Sequence, residues 1–248
     1  MRHVDFDDAL HTTYATGRSL SPDVVEQWMQ AVATCIDPST VERVIDLGAG
    51  TGRFSTHLAA TLAARVIAVD PARSMLRQVD RGIECVAARA ERLPFPSGVT
   101  DLVFASMVIH HFDDFDVAAA EILRVLRPRG HLLVRTCFAD SLDPPYHRFF
   151  PSVGGIDRSL LPTESETIHA LGESGLELVR KGRVRQRMAR SWREYAERIR
   201  QRAMSPLRLI SDEEFAVGMA ALDEAAAQEV EPAEVYEVID LLDFRALR

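Results

Sequence analysis

Cysteine is scarce. Cys35, Cys85 and Cys137 lie far apart in 248 residues and form no C-x-x-C pair. A disulfide scaffold or a thiolate zinc site is thereby argued against, reduced thiols fit, and no metal is expected. Basic charge is not in surplus either. With 29 Lys and Arg against 37 Asp and Glu, the net charge is -8, which argues against nucleic acid as a general partner. No apolar run approaches membrane-spanning length, and the opening MRHVDFDDAL has no apolar signal core. The expectation is a soluble, cytoplasmic protein with no membrane partner. Internal repeats and low-complexity segments are absent as well.

What is present suits an ordinary globular core, with 47% hydrophobic and 27% charged residues. Ser21-Pro22-Asp23 is a helix start, with Ser at the cap and Pro at the first helical position. Val25, Trp28, Met29 and Val32 follow at helical spacing. Residues 41–46, 65–70, 83–87, 101–108 and 131–137 read as short buried strands. Between them lie helical patterns carrying Phe54, Leu58 and Leu62, then Met75, Leu76 and Val79, then residues 117–126. Arg127-Pro128-Arg129-Gly130 is expected to stop that last helix. Alternating strands and helices predict an α/β fold with a doubly wound, Rossmann-like, mostly parallel sheet.

Past Phe138 the rhythm changes. Asp143-Pro144-Pro145 and Gly154-Gly155 read as loop punctuation, residues 164–172 as helix and 177–188 as strand. Residues 192–227 read as helical with a break at Ser205-Pro206, and YEVIDLLDF at 236–244 as a strand returning to the sheet. The expected organisation is a single domain over 1–248. It has N-terminal lid helices in 1–40, a cofactor core in 41–138, a helical cap inserted at 190–230 and a final strand in 231–248.

The stretch VIDLGAGTGRFS, 44–55, carries the chemistry. A glycine turn after the first strand of such a sheet is where a nucleotide lies against bare backbone. Asp70 ends the next strand, placed to accept the hydroxyls of an adenosine ribose. A dinucleotide site wants G-x-G-x-x-G, whose glycines admit a pyrophosphate. Here the order is G-x-G-x-G, and Arg53 stands at the place of the last glycine. A ligand with ribose and adenine but no pyrophosphate fits better, so a nicotinamide oxidoreductase is disfavoured.

VIDLGAGTG, VIAVDPARSML, AERLPFP, DLVFASMVIHHFDD and EILRVLRPRG then follow in order over about 41–138. This run resembles the class I S-adenosylmethionine-dependent methyltransferases of the ubiquinone/menaquinone-pathway subgroup. The resemblance implies S-adenosyl-L-methionine as cofactor and a small-molecule acceptor. Gly48, Ala49 and Gly50 would pass under the methionine moiety, with Asp46 supporting their loop. Asp70 would hold the ribose, and Pro71 and Met75 would wall the adenine. Ala90 would meet the adenine edge through its backbone, and Met107 would lie near the sulfonium. Arg89 stands where the family commonly has an adenine-accepting Asp. An arginine has only donors, so it would stack on the ring or point to solvent while Glu91 serves. Tyr14 and Arg18 resemble the family's N-terminal lid, whose arginine can meet the cofactor carboxylate; a solvated loop arginine is the alternative.

His110 and His111, after the fourth strand, are the candidate catalytic bases, or else purely structural. Tyr146, Phe149, Trp192 and Tyr195 are the candidate substrate-binding residues, the last two on an apolar stripe that can equally be core. Lys181, Arg183, Arg185 and Arg187 alternate on one strand face, which reads most simply as a solvated edge. One rival function stays open: a protein of this fold that binds the cofactor without methylating, as a partner or a cyclase. A homodimer stays open too.

Overall fold

A computed structural model describes residues 20–247. Its seven strands are β1 (Arg43–Leu47), β2 (Arg65–Val69), β3 (Glu84–Val86), β4 (Thr100–Ser106), β5 (Leu126–Thr136), β6 (Leu176–Ala189) and β7 (Val235–Ala246). They form one sheet in the order β3-β2-β1-β4-β5-β7-β6. The first five run parallel, and β7 is antiparallel to both β5 and β6. Strand order therefore reverses between β1 and β4, and their carboxyl ends flank the crevice where such sheets bind ligands.

Helices cover both faces, which is why the inner strands are apolar almost without interruption. Along β4, Leu102 and Phe104 enter one layer with α1 (Pro22–Cys35) and α2 (Ser55–Leu62). Val103 and Ala105 enter the other with α4 (Phe115–Val125) and α6 (Glu164–Glu173). Trp28 on α1 and Leu58 on α2 are fully buried, each contributing on the order of 2 kcal/mol or more. The helix carrying Met75, α3 (Arg73–Leu76), is a single turn, and Val79 lies beyond its end. No helix among the described residues is long and apolar enough to cross a membrane.

Two sequence expectations are corrected. Arg127-Pro128-Arg129-Gly130 does end α4, but it already belongs to β5, and the left-handed residue is Arg129 (φ 62°), not Gly130. Gly154-Gly155 is not loop: both glycines lie inside α5 (Val153–Leu160). Burial of Phe150 and Val153 in a shared cluster outweighs glycine's low propensity there.

That cluster is the core of the cap. It joins α5 and the turn Pro145–Arg148 to α7 (Trp192–Arg200), α8 (Ser205–Leu209) and α9 (Asp212–Ala227), which lie between β6 and β7. The break in the helical run falls just before Ser205, and Pro206 sits in the first turn of α8. The basic residues of β6 each have a neighbour. Lys181 pairs with Glu164, Arg183 with Asp240 and Arg187 with Asp23 and Glu234, while Arg185 lies 3.8 Å over the Tyr236 ring.

Candidate active site

The glycine loop hangs from β2. Gly48 and Ala49 donate their N–H groups to the Val69 carbonyl at 2.7 and 3.0 Å. Gly48 (φ 70°) is compelled by packing, since a Cβ there would overlap the Val108 side chain. Gly50 (φ 56°) differs, because its Cβ would meet nothing closer than Met75 Cε at 3.5 Å. A glycine that no clash requires leaves bare backbone that a ligand can approach. Asp70 holds this loop: its Oδ2 accepts the Gly50 N–H at 2.9 Å and its Oδ1 the Ala72 N–H at 2.8 Å. Each oxygen keeps a second lone pair for a further donor. Asp46 lies beneath, 2% exposed, and accepts from Ser55 Oγ at 2.6 Å. Burial pushes its carboxyl up to about 7, with the charge of Asp70 adding and the Ser55 hydrogen bond opposing.

Met75 is buried under the loop, Pro71 is exposed beside it and Ala90 is buried in the core. Arg89 pairs with Asp113, and Glu91 Oε1 accepts the N–H groups of Asp113 and Asp114 at 2.7 and 3.4 Å. Both side chains thus strap the segment after β3 to the start of α4. Tyr14 and Arg18 lie outside the described residues.

Beside the loop opens a cavity of about 630 Å³. Met107, His110, His111 and Tyr146, all named from the sequence, line it together with Arg53. Met107 is a non-glycine residue in the left-handed region (φ 54°), a strain of roughly 1–3 kcal/mol that clusters at functional sites. Its N–H donates to the Arg135 carbonyl at 2.7 Å, which fixes the turn where β4 ends. The rings of His110 and His111 lie 4.0 Å apart in a short turn, Ile109–His111.

Phe149, Trp192 and Tyr195 do not line this cavity, contrary to their expected place. Phe149 and Tyr195 each pack edge-on against Trp192, at 5.9 and 5.7 Å, inside the cap. The apolar stripe of α7 faces its own core, and burial holds the Tyr195 hydroxyl well above its usual range.

Sequence reasoning missed the polar wall. Arg135, only 2% exposed, lies 4.3 Å over the Trp28 ring. It donates through Nη2 to Gln186 Oε1 at 2.6 Å and through Nη1 to Ser106 Oγ at 3.2 Å. Trp28 Nε1 donates to the same Gln186 oxygen at 2.8 Å. A ring face and neutral acceptors thus hold a guanidinium at the cavity, and the charge inside the apolar run LLVRTC was the available signal. Asp157 and Arg198 also line it. Neither had a local motif.

A mostly parallel sheet with a glycine loop and an acid at its switch point, beside a capped cavity, has the layout in which such sheets take nucleotide ligands. Residues 45–134 match the family described as the methyltransferase domain. Demethylmenaquinone methyltransferase of Thermobifida fusca (strain YX) is 34% identical over 137 residues, covering 52% of this chain and 58% of that protein. A malonyl-acyl carrier protein O-methyltransferase of Methylococcus capsulatus (strain ATCC 33009 / NCIMB 11132 / Bath) is 40% identical over 101 residues, covering 38% of this chain and 37% of that protein. The chain thus spans little more than half of one curated relative and about a third of the other. Among solved structures, a methyltransferase from an antibiotic biosynthesis pathway of Anabaena variabilis ATCC 29413 superposes with a TM-score of 0.72 at 20% identity. The match covers 87% of this chain and 96% of that one, and at this identity it speaks for the fold alone.

Proposed function

We propose that the protein is an S-adenosylmethionine-dependent methyltransferase acting on a small-molecule acceptor. The observation that carries this reading is the bare backbone at Gly50, where no clash requires a glycine, held by Asp70 next to a cavity whose wall includes Met107. The residues fit the cofactor. Gly48, Ala49 and Gly50 would pass under its methionine part, and the spare lone pairs of Asp70 would take the ribose hydroxyls. Pro71 and Met75 would flank the adenine, with the Ala90 backbone at its edge. Because Arg89 and Glu91 are engaged with the α4 loop, neither is assigned an adenine contact. When bound, the cofactor supplies an electrophilic methyl group. The chain's own part is to orient the acceptor, exclude water and provide a base where one is needed, for which His110 and His111 are the candidates.

The rival, cofactor binding without methyl transfer, is not favoured, because the curated relatives above are methyltransferases by name. A cytoplasmic location and a possible homodimer accompany the proposal. Calorimetric titration with S-adenosylhomocysteine, followed by transfer of labelled methyl from the cofactor to a small-molecule extract, tests it. Binding with label appearing in a small product is the expected result. No binding in a folded protein refutes the cofactor assignment, and binding without transfer restores the rival.

A further inference from the structure

Asp157 projects from α5 into the cavity wall and is 6% exposed. Two donors hold it, and both reach the same oxygen. Tyr146 Oη and His147 Nε2 each lie 2.8 Å from Oδ2. No described residue donates to Oδ1, which is also not among the buried polar atoms sealed from solvent. The carboxylate is therefore pinned by one oxygen, and the other is left without a donor on a residue that lines the cavity. Tyr146 can keep this role across the physiological range, since burial and then the charge of Asp157 hold its hydroxyl protonated. A second carboxylate, Glu237 of β7, lines the same cavity.

We infer that Asp157 Oδ1 is a recognition point for an amino or hydroxyl group of the acceptor, so that the preferred acceptors carry an N–H or O–H donor there. The inference rests on the proposed function for the word acceptor, but the subsite itself is a property of the cavity. An anchored carboxylate accepts a donor without reorganising, and a hydrogen bond to a charged group is among the stronger ones a site can offer. A ligand group that cannot donate would leave Oδ1 desolvated and unpaired, which is penalised.

Asp157→Asn is the informative substitution. With Tyr146 and His147 still donating, the amide oxygen takes the Oδ2 position and the amide NH2 takes the place of Oδ1. A proton donor then faces the cavity where an acceptor stood. Three probes, benzylamine, benzyl alcohol and ethylbenzene, share a ring and differ in donors. Their binding to the full chain can be followed by ligand-observed NMR titration, with and without S-adenosylhomocysteine. The two donor-bearing probes should bind at least about tenfold more tightly than ethylbenzene, and Asp157→Asn should abolish that preference, most completely for benzylamine. A preference unchanged in Asp157→Asn, or no binding of any probe, would overturn the inference.

Wild-type protein alone supplies a second test, independent of whether the variant folds. Arg53, Arg135 and Arg198 line the cavity too, so benzoate is the opposing probe. Benzoate binding more tightly than benzylamine would assign the cavity to anions and end the proposal. Failure of S-adenosylhomocysteine to bind would count against the methyltransferase reading and leave the probe order, read without it, to decide the subsite.

Discussion

Asp46 and Asp70 both sit at the ends of parallel strands, and their surroundings give them different work. Asp70 accepts two backbone N–H groups, which partly oppose the upward push of burial. Asp46, sealed under the loop with one hydroxyl donor, is pushed up to about 7. Its folded form therefore holds a proton that the unfolded chain releases near its ordinary value of 3.8. Stability from this group is full below about pH 4 and falls as pH rises towards 7, by on the order of 4 kcal/mol. Asp46→Asn should remove that slope. In urea unfolding, the wild type should lose ground to the variant between about pH 4 and pH 8, and a difference that stays constant with pH would refute the buried-acid account. The glycines make a second pair. Gly48→Ala should cost folding stability, roughly 1–3 kcal/mol, because the new methyl overlaps Val108. Gly50→Ala should fold with about 1–2 kcal/mol of left-handed strain and lose at least about tenfold in S-adenosylhomocysteine affinity. Thermal unfolding and calorimetry on both variants check this, and unchanged affinity in a folded Gly50→Ala variant would show that Gly50 has no ligand role.

At the scale of elements, the sheet and its facing helices were legible because their signals are local. Strands β1, β2, β4 and β5 are apolar runs ended by turn residues, and α1 shows its buried face at Val25, Trp28, Met29 and Val32. The cap was legible as helix and illegible as packing. Nothing in the spacing of Trp192 and Tyr195 says whether a stripe faces a cavity or its own core, and the partners that decide it, Phe149, Phe150 and Phe215, come from other stretches of the chain. Gly154-Gly155 misled for the same reason. Gly218 on α9 shows what that packing requires: a Cβ there would run into the ring of Phe150 and the carbonyl of Phe149. In a solvated helix, Gly→Ala gains about 1 kcal/mol. Gly218→Ala should instead destabilise the protein by about 1–3 kcal/mol in chemical unfolding. A stabilised variant would mean that α9 can move off Phe150 at little cost.

For the whole molecule, which parts of the proposed site could be read from sequence follows chain connectivity. The loop from Gly48 to Gly52 and the acid at Asp70 are close in sequence, so a motif could reveal them. The cavity draws Met107 from beyond β4, Cys137 from beyond β5, Gln186 and Met188 from β6, Ile239 from β7, and Asp157, Arg198 and Leu209 from the cap. No short pattern can encode a wall assembled from so many elements. Acceptor choice is therefore expected to respond to cap residues that line the cavity and touch none of the glycine loop. Leu209, at the end of α8, is a half-exposed apolar side chain on that wall. Leu209→Trp adds bulk there without burying a polar group or removing a core contact. It should reduce methyl transfer to large acceptors more than to small ones, while S-adenosylhomocysteine affinity stays within about threefold, roughly 0.7 kcal/mol. The comparison is made with labelled cofactor over acceptors graded by size. Uniform turnover across the series, or a loss of cofactor affinity as large as the loss of transfer, would place the acceptor somewhere other than this cavity.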